Sequence, residues 1–217
     1  MRSQTTSDSC LSCLMRTEQY FCDLSDHALH CLNAVKSTAI YPKRAQLFIE
    51  GEAAYGVFVL CTGRVKLSTC SHEGKTIITK ISQTGDVLGL NAVVSNRPYE
   101  VTAQMMDRGR ASFIPRDSLL KFMREHGEVA QAVAEQLCSN YYAAHEVIQT
   151  LGLAVAERVS KFLPSHNSGS SGITLTQEEI AESIGTTRNT VTRLFSELKK
   201  RQLTPVKGST QSPSVCE

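Results

Sequence analysis

Hydrophobic and polar positions alternate with period two in the first part of the chain. Between Tyr41 and Pro115, short alternating runs are separated by glycines that recur every 11 or 12 residues. Between these glycines lie the strand-like runs Val57–Leu60, which is apolar throughout, Val65–Ser68 and Thr76–Ile81. Short strands joined by tight, glycine-containing turns are typical of a β-sandwich or β-barrel. A helical interpretation conflicts with this glycine spacing.

After Pro115 the pattern becomes helical. Residues Asp117–Arg124 predict a short amphipathic helix, and Glu128–Leu151 predict a long one without internal proline or glycine. Apolar residues recur along the long helix at spacings of four and three, which predicts one stripe. Because this spacing is also found in coiled coils, we expect the stripe to pair with a second copy; packing on its own β domain is the alternative. The predicted seam residues are Val133, Leu137, Tyr141, Ala144 and Ile148.

A second helical unit follows a polar loop that is predicted over Leu163–Gly172. Thr176 and Glu179 have the spacing of a capping box, which predicts the start of a short helix. Gly185 permits a sharp turn, and Thr187 is a suitable cap for a second helix. The inward faces of the two helices are apolar: Ile180, Ala181, Ile184, Val191, Leu194, Phe195 and Leu198. Two short helices joined in this way predict a helix-turn-helix.

The outward face of the second helix carries side chains suited to reading DNA. Arginine binds guanine and asparagine binds adenine in the major groove, each through two hydrogen bonds. Residues 186–207 carry six Lys or Arg against one Glu, a net charge of +5, whereas residues 1–150 are neutral. For charge alone, a solvated helix face is the alternative. The predicted DNA-binding residues are Thr176, Gln177, Thr187, Arg188, Asn189, Thr190, Thr192, Arg193 and Lys207.

Length and composition narrow the class of protein. The chain has 217 residues, of which 41% are hydrophobic and 20% charged, as in an ordinary globular protein of one or two domains. No apolar run approaches the ~20 residues of a membrane span, and no secretory signal is visible at the N-terminus. We therefore expect a cytoplasmic protein with no membrane partner.

Cysteines are numerous for such a protein. Four of the eight lie in the first 31 residues: Cys10, Cys13, Cys22 and Cys31. Without an export signal, metal or redox chemistry explains them better than disulfides. Cys61, Cys70 and Cys138 lie in strand-like or helical runs, where we expect small core residues.

The order of these elements resembles the CRP/FNR superfamily of bacterial transcription regulators over about residues 20–207. The runs that carry the resemblance are Gly51-Glu52, Gly56–Leu60, Gly63–Leu67, Glu73–Lys75, Gly85–Gly89, Thr176–Ala181 and Thr187–Arg193. The resemblance implies an α+β fold: an N-terminal double-stranded β-roll like a cyclic-nucleotide-binding domain, a long dimerisation helix and a C-terminal winged helix-turn-helix domain. It also implies a homodimer that binds a palindromic operator in double-stranded DNA, with RNA polymerase as a further partner, and an effector that acts on the N-terminal half.

On this basis the chain divides into an N-terminal cysteine arm (residues 1–21), a β-roll (22–125), a dimerisation helix (126–150) and a DNA-binding domain (151–217). The polar residues 209–217 leave the second wing strand in doubt. A cupin-like β-barrel enzyme with an accessory helical domain is the alternative function. It is disfavoured because the β region contains a single histidine, His72, too few for a cupin metal centre. We therefore expect no enzyme activity.

The effector positions depart from those of relatives that bind cyclic AMP. Leu90 stands where those members have a glutamate, and Glu100-Val101 stand near their Arg-Ser pair. A carboxylate repels the phosphate, so cyclic AMP is not the expected effector.

The N-terminal cysteines resemble the arm of the iron–sulfur branch of the superfamily. This predicts Cys10, Cys13, Cys22 and Cys31 as ligands of a 4Fe-4S cluster or of zinc. Two positions depart from that branch: Ser112 replaces its fourth ligand, and its third cysteine aligns nearer Gln19 than Cys22. Free thiols, an unidentified small-molecule effector and no effector remain as alternatives.

Overall fold

The computed structural model describes residues 9–14, 20–70, 74, 76–151, 153, 155–167 and 175–203. The chain forms two compact units, Met1–Leu153 and Ala154–Glu217, which are described separately below. Within the described ranges, no helix combines the length and the apolar character that crossing a bilayer would require.

The described part of the first unit contains two four-stranded antiparallel sheets. Their strands are β1 (Ser37–Tyr41), β2 (Gln46–Phe48), β3 (Gly56–Thr62), β4 (Val65–Cys70), β5 (Thr76–Ser82), β6 (Val87–Leu88), β7 (Thr102–Met105) and β8 (Gly109–Pro115). One sheet has the order β1-β8-β3-β6 and the other has the order β2-β7-β4-β5. Apolar side chains from both sheets share one interior. The predicted β-roll is therefore confirmed.

Helices cover the outer face of the first of these sheets. In the described part of the first unit they are α1 (Asp26–Val35), α2 (Leu90–Ser95), α3 (Arg116–Glu125) and α4 (Gly127–Leu151), and a 3-10 turn (Tyr20–Cys22) precedes α1. The short amphipathic helix and the long helix predicted after Pro115 correspond to α3 and α4, which confirms both.

The described part of the second unit is helical, with α5 (Val155–Asn167), α6 (Gln177–Ser183) and α7 (Arg188–Leu203). The predicted loop was wrong for residues 163–167, because α5 continues through them; residues 168–172 lie outside the described part. Val159 is buried among the helices of this unit, and Val155 and Phe162 pack beside it. This packing offsets the low helix propensity of the polar residues that follow.

Strand β3 lies between the two apolar layers of the first unit, which explains its run of buried residues. Successive side chains of a strand point to opposite faces. Val57 and Val59 pack with the helices, whereas Phe58 and Leu60 pack between the sheets. Gly56 allows β3 and β8 to approach closely, because a Cβ there would collide with the carbonyl oxygen of Ile114.

The first half of α4 is fixed to the β-roll. Val129 and Val133 are buried in the core beneath the helices. Gln136 is fully buried, and its Oε1 accepts a hydrogen bond from the Val87 amide at 2.9 Å. Its Nε2 donates to Asp86 Oδ1 at 3.2 Å. The Gln136 carboxamide thus provides the hydrogen-bond acceptor for the backbone amide of Val87, the first residue of β6.

This anchoring corrects part of the predicted dimer seam. Val133 is only 2% exposed and Leu137 packs against the same core, so both side chains are engaged by their own β-roll. The stripe therefore has two functions along its length. Its first half holds α4 to the β-roll, while Tyr141, Ala144 and Ile148 are exposed.

Glu128 joins the start of α4 to the start of α1. Its Oε1 accepts from Ser25 Oγ at 2.6 Å, and its Oε2 accepts from the Ser25 amide at 2.9 Å. These bonds, the hydroxyl first, hold the pKa of Glu128 below its usual range. Ser25 also caps α1 by accepting from the Ala28 amide. The first turns of the two helices are thus held side by side.

Candidate functional site

The helix-turn-helix of the second unit begins with the predicted capping box. Thr176 Oγ1 accepts from the Glu179 amide at 3.2 Å, and Glu179 Oε2 accepts from the Thr176 amide at 2.8 Å. Ile180 and Ala181 on α6, and Ile184 directly after it, are buried together with Val191 of α7. Leu194 and Phe195 pack against this cluster. The predicted inward faces are confirmed, except that the side chain of Leu198 lies outside the described residues.

The turn between α6 and α7 is held by specific contacts. Gly185 has a φ of 65°, a backbone conformation that residues with a Cβ rarely adopt. Arg158 of α5 donates from Nη1 to the carbonyl oxygen of Ile184 at 2.6 Å. Thr187 Oγ1 accepts from the Thr190 amide at 3.4 Å, so Thr187 caps α7 as predicted. The angle between the two helices is therefore fixed by packing and by hydrogen bonds.

The face of α7 opposite this core carries the predicted base-reading side chains. Arg188, Asn189 and Arg193 are all exposed. Thr192 is exposed as well, and its hydroxyl donates to Gln177 Oε1 at 2.6 Å, which connects the first residue of α6 to α7. Thr190 is half-buried. Lys207 and the predicted wing lie outside the described residues.

Three of the four predicted metal ligands line one small cavity in the first unit, which we call the thiol cavity. It has a free volume of about 30 Å³ and lies between α1 and the helix-facing side of β3 and β8. The residues that line it are Cys10, Cys13, Phe21, Cys22, Leu32, Lys36, Val59, Cys61 and Ser112. Four thiols therefore surround this cavity, and one of them, Cys61, comes from a strand.

Polar contacts orient several of these groups. Lys36 Nζ donates to Cys10 Sγ at 3.1 Å, and the Cys10 amide donates to Asn33 Oδ1 at 3.0 Å, so α1 and its C-cap Lys36 each hold Cys10 at one point. Ser112 Oγ is buried, 3.3 Å from Cys61 Sγ and 2.8 Å from Thr38 Oγ1. Ser112 and Cys61 are thus direct neighbours.

Cys31 does not belong to this cavity. Its Sγ lies with ring nitrogens of His27 and His126, all within 4.8 Å of one another. The prediction of one cluster made of Cys10, Cys13, Cys22 and Cys31 therefore needs correction. Cys31 is on α1, and the helix turns its side chain toward the junction of α3 and α4.

Cys61 is the residue that sequence reasoning missed, since it was expected to be an ordinary core residue. The signal was present in the alternation of β3, because residue 61 shares a face with Val57 and Val59. The same expectation was wrong for Cys70 and Cys138, which are exposed.

The interior between the two sheets is filled by aromatic rings. Phe48 and Tyr99 are stacked with centroids 4.0 Å apart, and the Tyr99 hydroxyl donates to the carbonyl oxygen of Gly56 at 2.6 Å. Phe58 packs beside Phe48. Leu90, at the position of the glutamate in cyclic-AMP-binding members, is 1% exposed and belongs to the core beneath the helices.

Comparison with known families agrees with this architecture. A model of the cyclic nucleotide-binding domain matches residues 39–126, and a model of the Crp-like helix-turn-helix domain matches residues 157–211. The chain belongs to the CRP/FNR family of transcription regulators.

This CRP/FNR regulator is similar in sequence to named regulators of other bacteria. It is 28% identical to the global nitrogen regulator of Synechococcus elongatus, over 72% of this chain and 76% of that protein. It is 26% identical to the fumarate and nitrate reduction regulatory protein of Yersinia pestis, over 85% of this chain and 78% of that protein.

A solved structure shares the fold at low sequence identity. The c-di-GMP responsive global regulator CLP of Xanthomonas campestris superposes with a TM-score of 0.75 at 16% identity, covering 85% of this chain and 96% of that chain. These relatives are transcription regulators, so the prediction of a DNA-binding regulator rather than an enzyme is confirmed.

Proposed function

We propose that this regulator is a cytoplasmic homodimer that recognises a palindromic DNA operator through α7. The observation that carries the proposal is the exposed set of Arg188, Asn189 and Arg193 on a helix whose opposite side is buried. Hydrogen-bonding side chains near the start of a helix, with a net positive charge, are suited to a major groove. RNA polymerase is a further partner in this proposal.

The exposed half of α4 supports the dimer. Tyr141 and Ile148 are 66% and 65% exposed, and they continue the apolar stripe beyond the point where it leaves the β-roll. One helix-turn-helix reads only a few base pairs, so a two-fold partner is needed to reach the next major groove. A second copy that covers Tyr141, Ala144 and Ile148 would provide it.

For the switch, we propose a 4Fe-4S cluster held by Cys10, Cys13, Cys22 and Cys61. The donor set matches in chemistry, because four cysteine thiolates are the usual ligands of such a cluster. The cavity of about 30 Å³ holds about one water, so the arm that carries Cys10 and Cys13 would have to move outward to admit the cluster. Cys61 adjoins Ser112, the position that lacks the ligand of the iron–sulfur branch. In the described residues no three of these sulfurs lie within 4.8 Å of one another, whereas a single zinc needs them about 4 Å apart. When bound, a cluster would supply sensitivity to oxidants.

Cyclic AMP is not the effector in this proposal. The carboxylate that would bind the ribose is replaced by Leu90, whose side chain is buried. Phe48, Phe58 and Tyr99 already fill the interior between the sheets. A nucleotide would have to displace this packing, which costs free energy.

The DNA-binding proposal predicts the effect of Arg193→Ala. We expect this change to weaken binding to the preferred operator by about 1–3 kcal/mol and to relax base preference at one pair in each half-site. Sequences selected from a random pool by the wild-type protein define the operator, and fluorescence anisotropy then measures affinity. Ser196→Ala, on the same helix and also exposed, is the control and should have little effect. Selection that enriches no palindrome would contradict the proposal.

The switch proposal predicts different outcomes for two cysteine variants. Protein purified without oxygen should contain stoichiometric iron and sulfide. Cys61→Ser should lose most of both because it removes a ligand, whereas Cys31→Ser should retain them. Chemical analysis of iron and sulfide, with the absorption spectrum, measures this directly. Iron-free wild-type protein from an iron-replete anaerobic preparation would rule the cluster out. The proposal that α7 binds DNA would still stand, because it has its own test.

A further inference from the structure

We propose that His27, Cys31 and His126 form a separate site for Zn²⁺ or a similar thiophilic divalent cation. Two imidazole nitrogens and one sulfur lie within 4.8 Å of one another. Among the described residues, no other group of three or more His, Cys, Asp or Glu has this spacing. The thiol cavity contributes none of these ligands.

Local sequence explains the convergence of the three side chains. His27 and Cys31 are four residues apart on α1, so they lie on one face of the helix, one turn apart. His126 ends α3, where its amide donates to the Phe122 carbonyl at 3.0 Å. Its ring packs against the Phe122 ring with centroids 4.8 Å apart, and the His27 and His126 rings are 5.4 Å apart.

The surrounding structure holds these elements in place without a metal. Glu128 fastens the start of α4 to Ser25, the cap of α1, through two hydrogen bonds. Leu29 and Phe122, from α1 and α3, are buried in one core, and Cys31 packs against it. The backbones that carry the three ligands are therefore already positioned, which reduces the entropy lost on binding.

The chemistry of the group favours zinc. Zn²⁺ binds imidazole nitrogen at about 2.0–2.1 Å and thiolate sulfur at about 2.3 Å, so ligand atoms in a tetrahedral site are roughly 3.5 Å apart. Small side-chain rotations would bring the three atoms to that spacing. Three protein ligands leave a fourth position for water. His27 is exposed, which gives the cation a path from solvent, while Cys31 and His126 are half-buried.

A bound cation would connect α1 to the junction of α3 and α4. Because it binds the folded state, it would also stabilise the first unit, by an amount that grows with the logarithm of its concentration above the Kd. The long helix α4 begins at the residue after His126. A cation bound to His126 would therefore restrict the position of the first turn of α4.

The test uses the full chain, reduced and metal-free, with Cys10→Ser and Cys13→Ser to remove competing thiols. Zn²⁺ should slow alkylation of Cys31 by iodoacetamide at least about tenfold, because a metal-bound thiolate is not free to react. Peptide mass spectrometry resolves Cys31 from the other cysteines. His27→Gln and His126→Gln should each remove the protection, whereas His30→Gln, an exposed histidine on the same helix, should keep it.

A second measurement does not depend on alkylation. Co²⁺ should give the charge-transfer and visible bands of tetrahedral thiolate coordination in the same background, and Cys31→Ser should abolish the charge-transfer band. Equal alkylation with and without Zn²⁺, protection that survives both histidine changes, or the absence of the Co²⁺ bands would each overturn the proposal. None of these outcomes bears on DNA binding or on the thiol cavity.

Discussion

Replacing Tyr141 and Ile148 together by glutamate should convert the proposed dimer into a monomer and weaken operator binding about 10²–10⁴-fold. Two linked DNA-binding units gain affinity in this range from bivalency alone, and a monomer loses it. The change places four unpaired carboxylates in one apolar seam, two from each chain, and burying such charges is strongly unfavourable. Both side chains are exposed in the single chain, so the β-roll itself should stay folded.

Sedimentation velocity and fluorescence anisotropy measure these two effects. Ser139→Glu with Gln149→Glu adds the same charge to exposed positions on other faces of α4, and this control should remain dimeric. A Tyr141/Ile148 variant that is still dimeric and bound to DNA would place the interface elsewhere. Leu137→Glu is a poorer probe, because Leu137 packs against the core of its own chain.

The second large effect concerns the interior of the β-roll. Leu60→Ala should lower the free energy of unfolding of the first unit by about 2–5 kcal/mol, the range for a buried leucine that leaves a cavity. Leu60 is fully buried between the sheets, next to Phe58 on β3. Both sheets contribute neighbours at this point, so the surrounding structure has little freedom to collapse onto the cavity.

Hydrogen exchange of the β3 and β8 amides reports the stability of this unit without requiring the whole chain to unfold in one step. Ile40→Ala is the matched control, because Ile40 is 60% exposed on β1 and its loss should change stability by no more than about 0.5 kcal/mol. Equal effects of the two changes would show that the sheets do not form one close-packed interior.

Local patterns in the sequence were sufficient for most of the fold. The short runs between glycines became β3, β4 and β5, and the capping box at Thr176 begins α6. These features depend on residues close together in the chain, whose backbone preferences are readable from sequence. The exposed face of α7 could also be predicted, because the helical period alone separates buried Val191 from exposed Arg193.

What could not be predicted depends on contacts between distant residues. The stripe of α4 looks uniform in sequence, but the structure divides it between the β-roll and solvent at about Leu137. In the sequence, Cys22 and Cys31 are equally plausible ligands of one cluster. In the structure, Cys22 lines the thiol cavity, whereas the orientation of α1 places Cys31 beside His126. Cys61 joins the other thiols through the pairing of β3 with β8, in which Val59 is opposite Ser112.

The buried carboxamide of Gln136 sets the register of α4. If the helix moved by one turn along the β-roll, the hydrogen bond between the Val87 amide and the Gln136 side chain would break. Each buried polar group left unsatisfied costs about 1–3 kcal/mol. Translation along the helix axis is therefore penalised far more than it would be by interchangeable apolar contacts. The first half of α4 and strand β6 should consequently move as one rigid body. Any displacement of β6 would then shift Tyr141 and Ile148, on the exposed half of α4, by a corresponding amount.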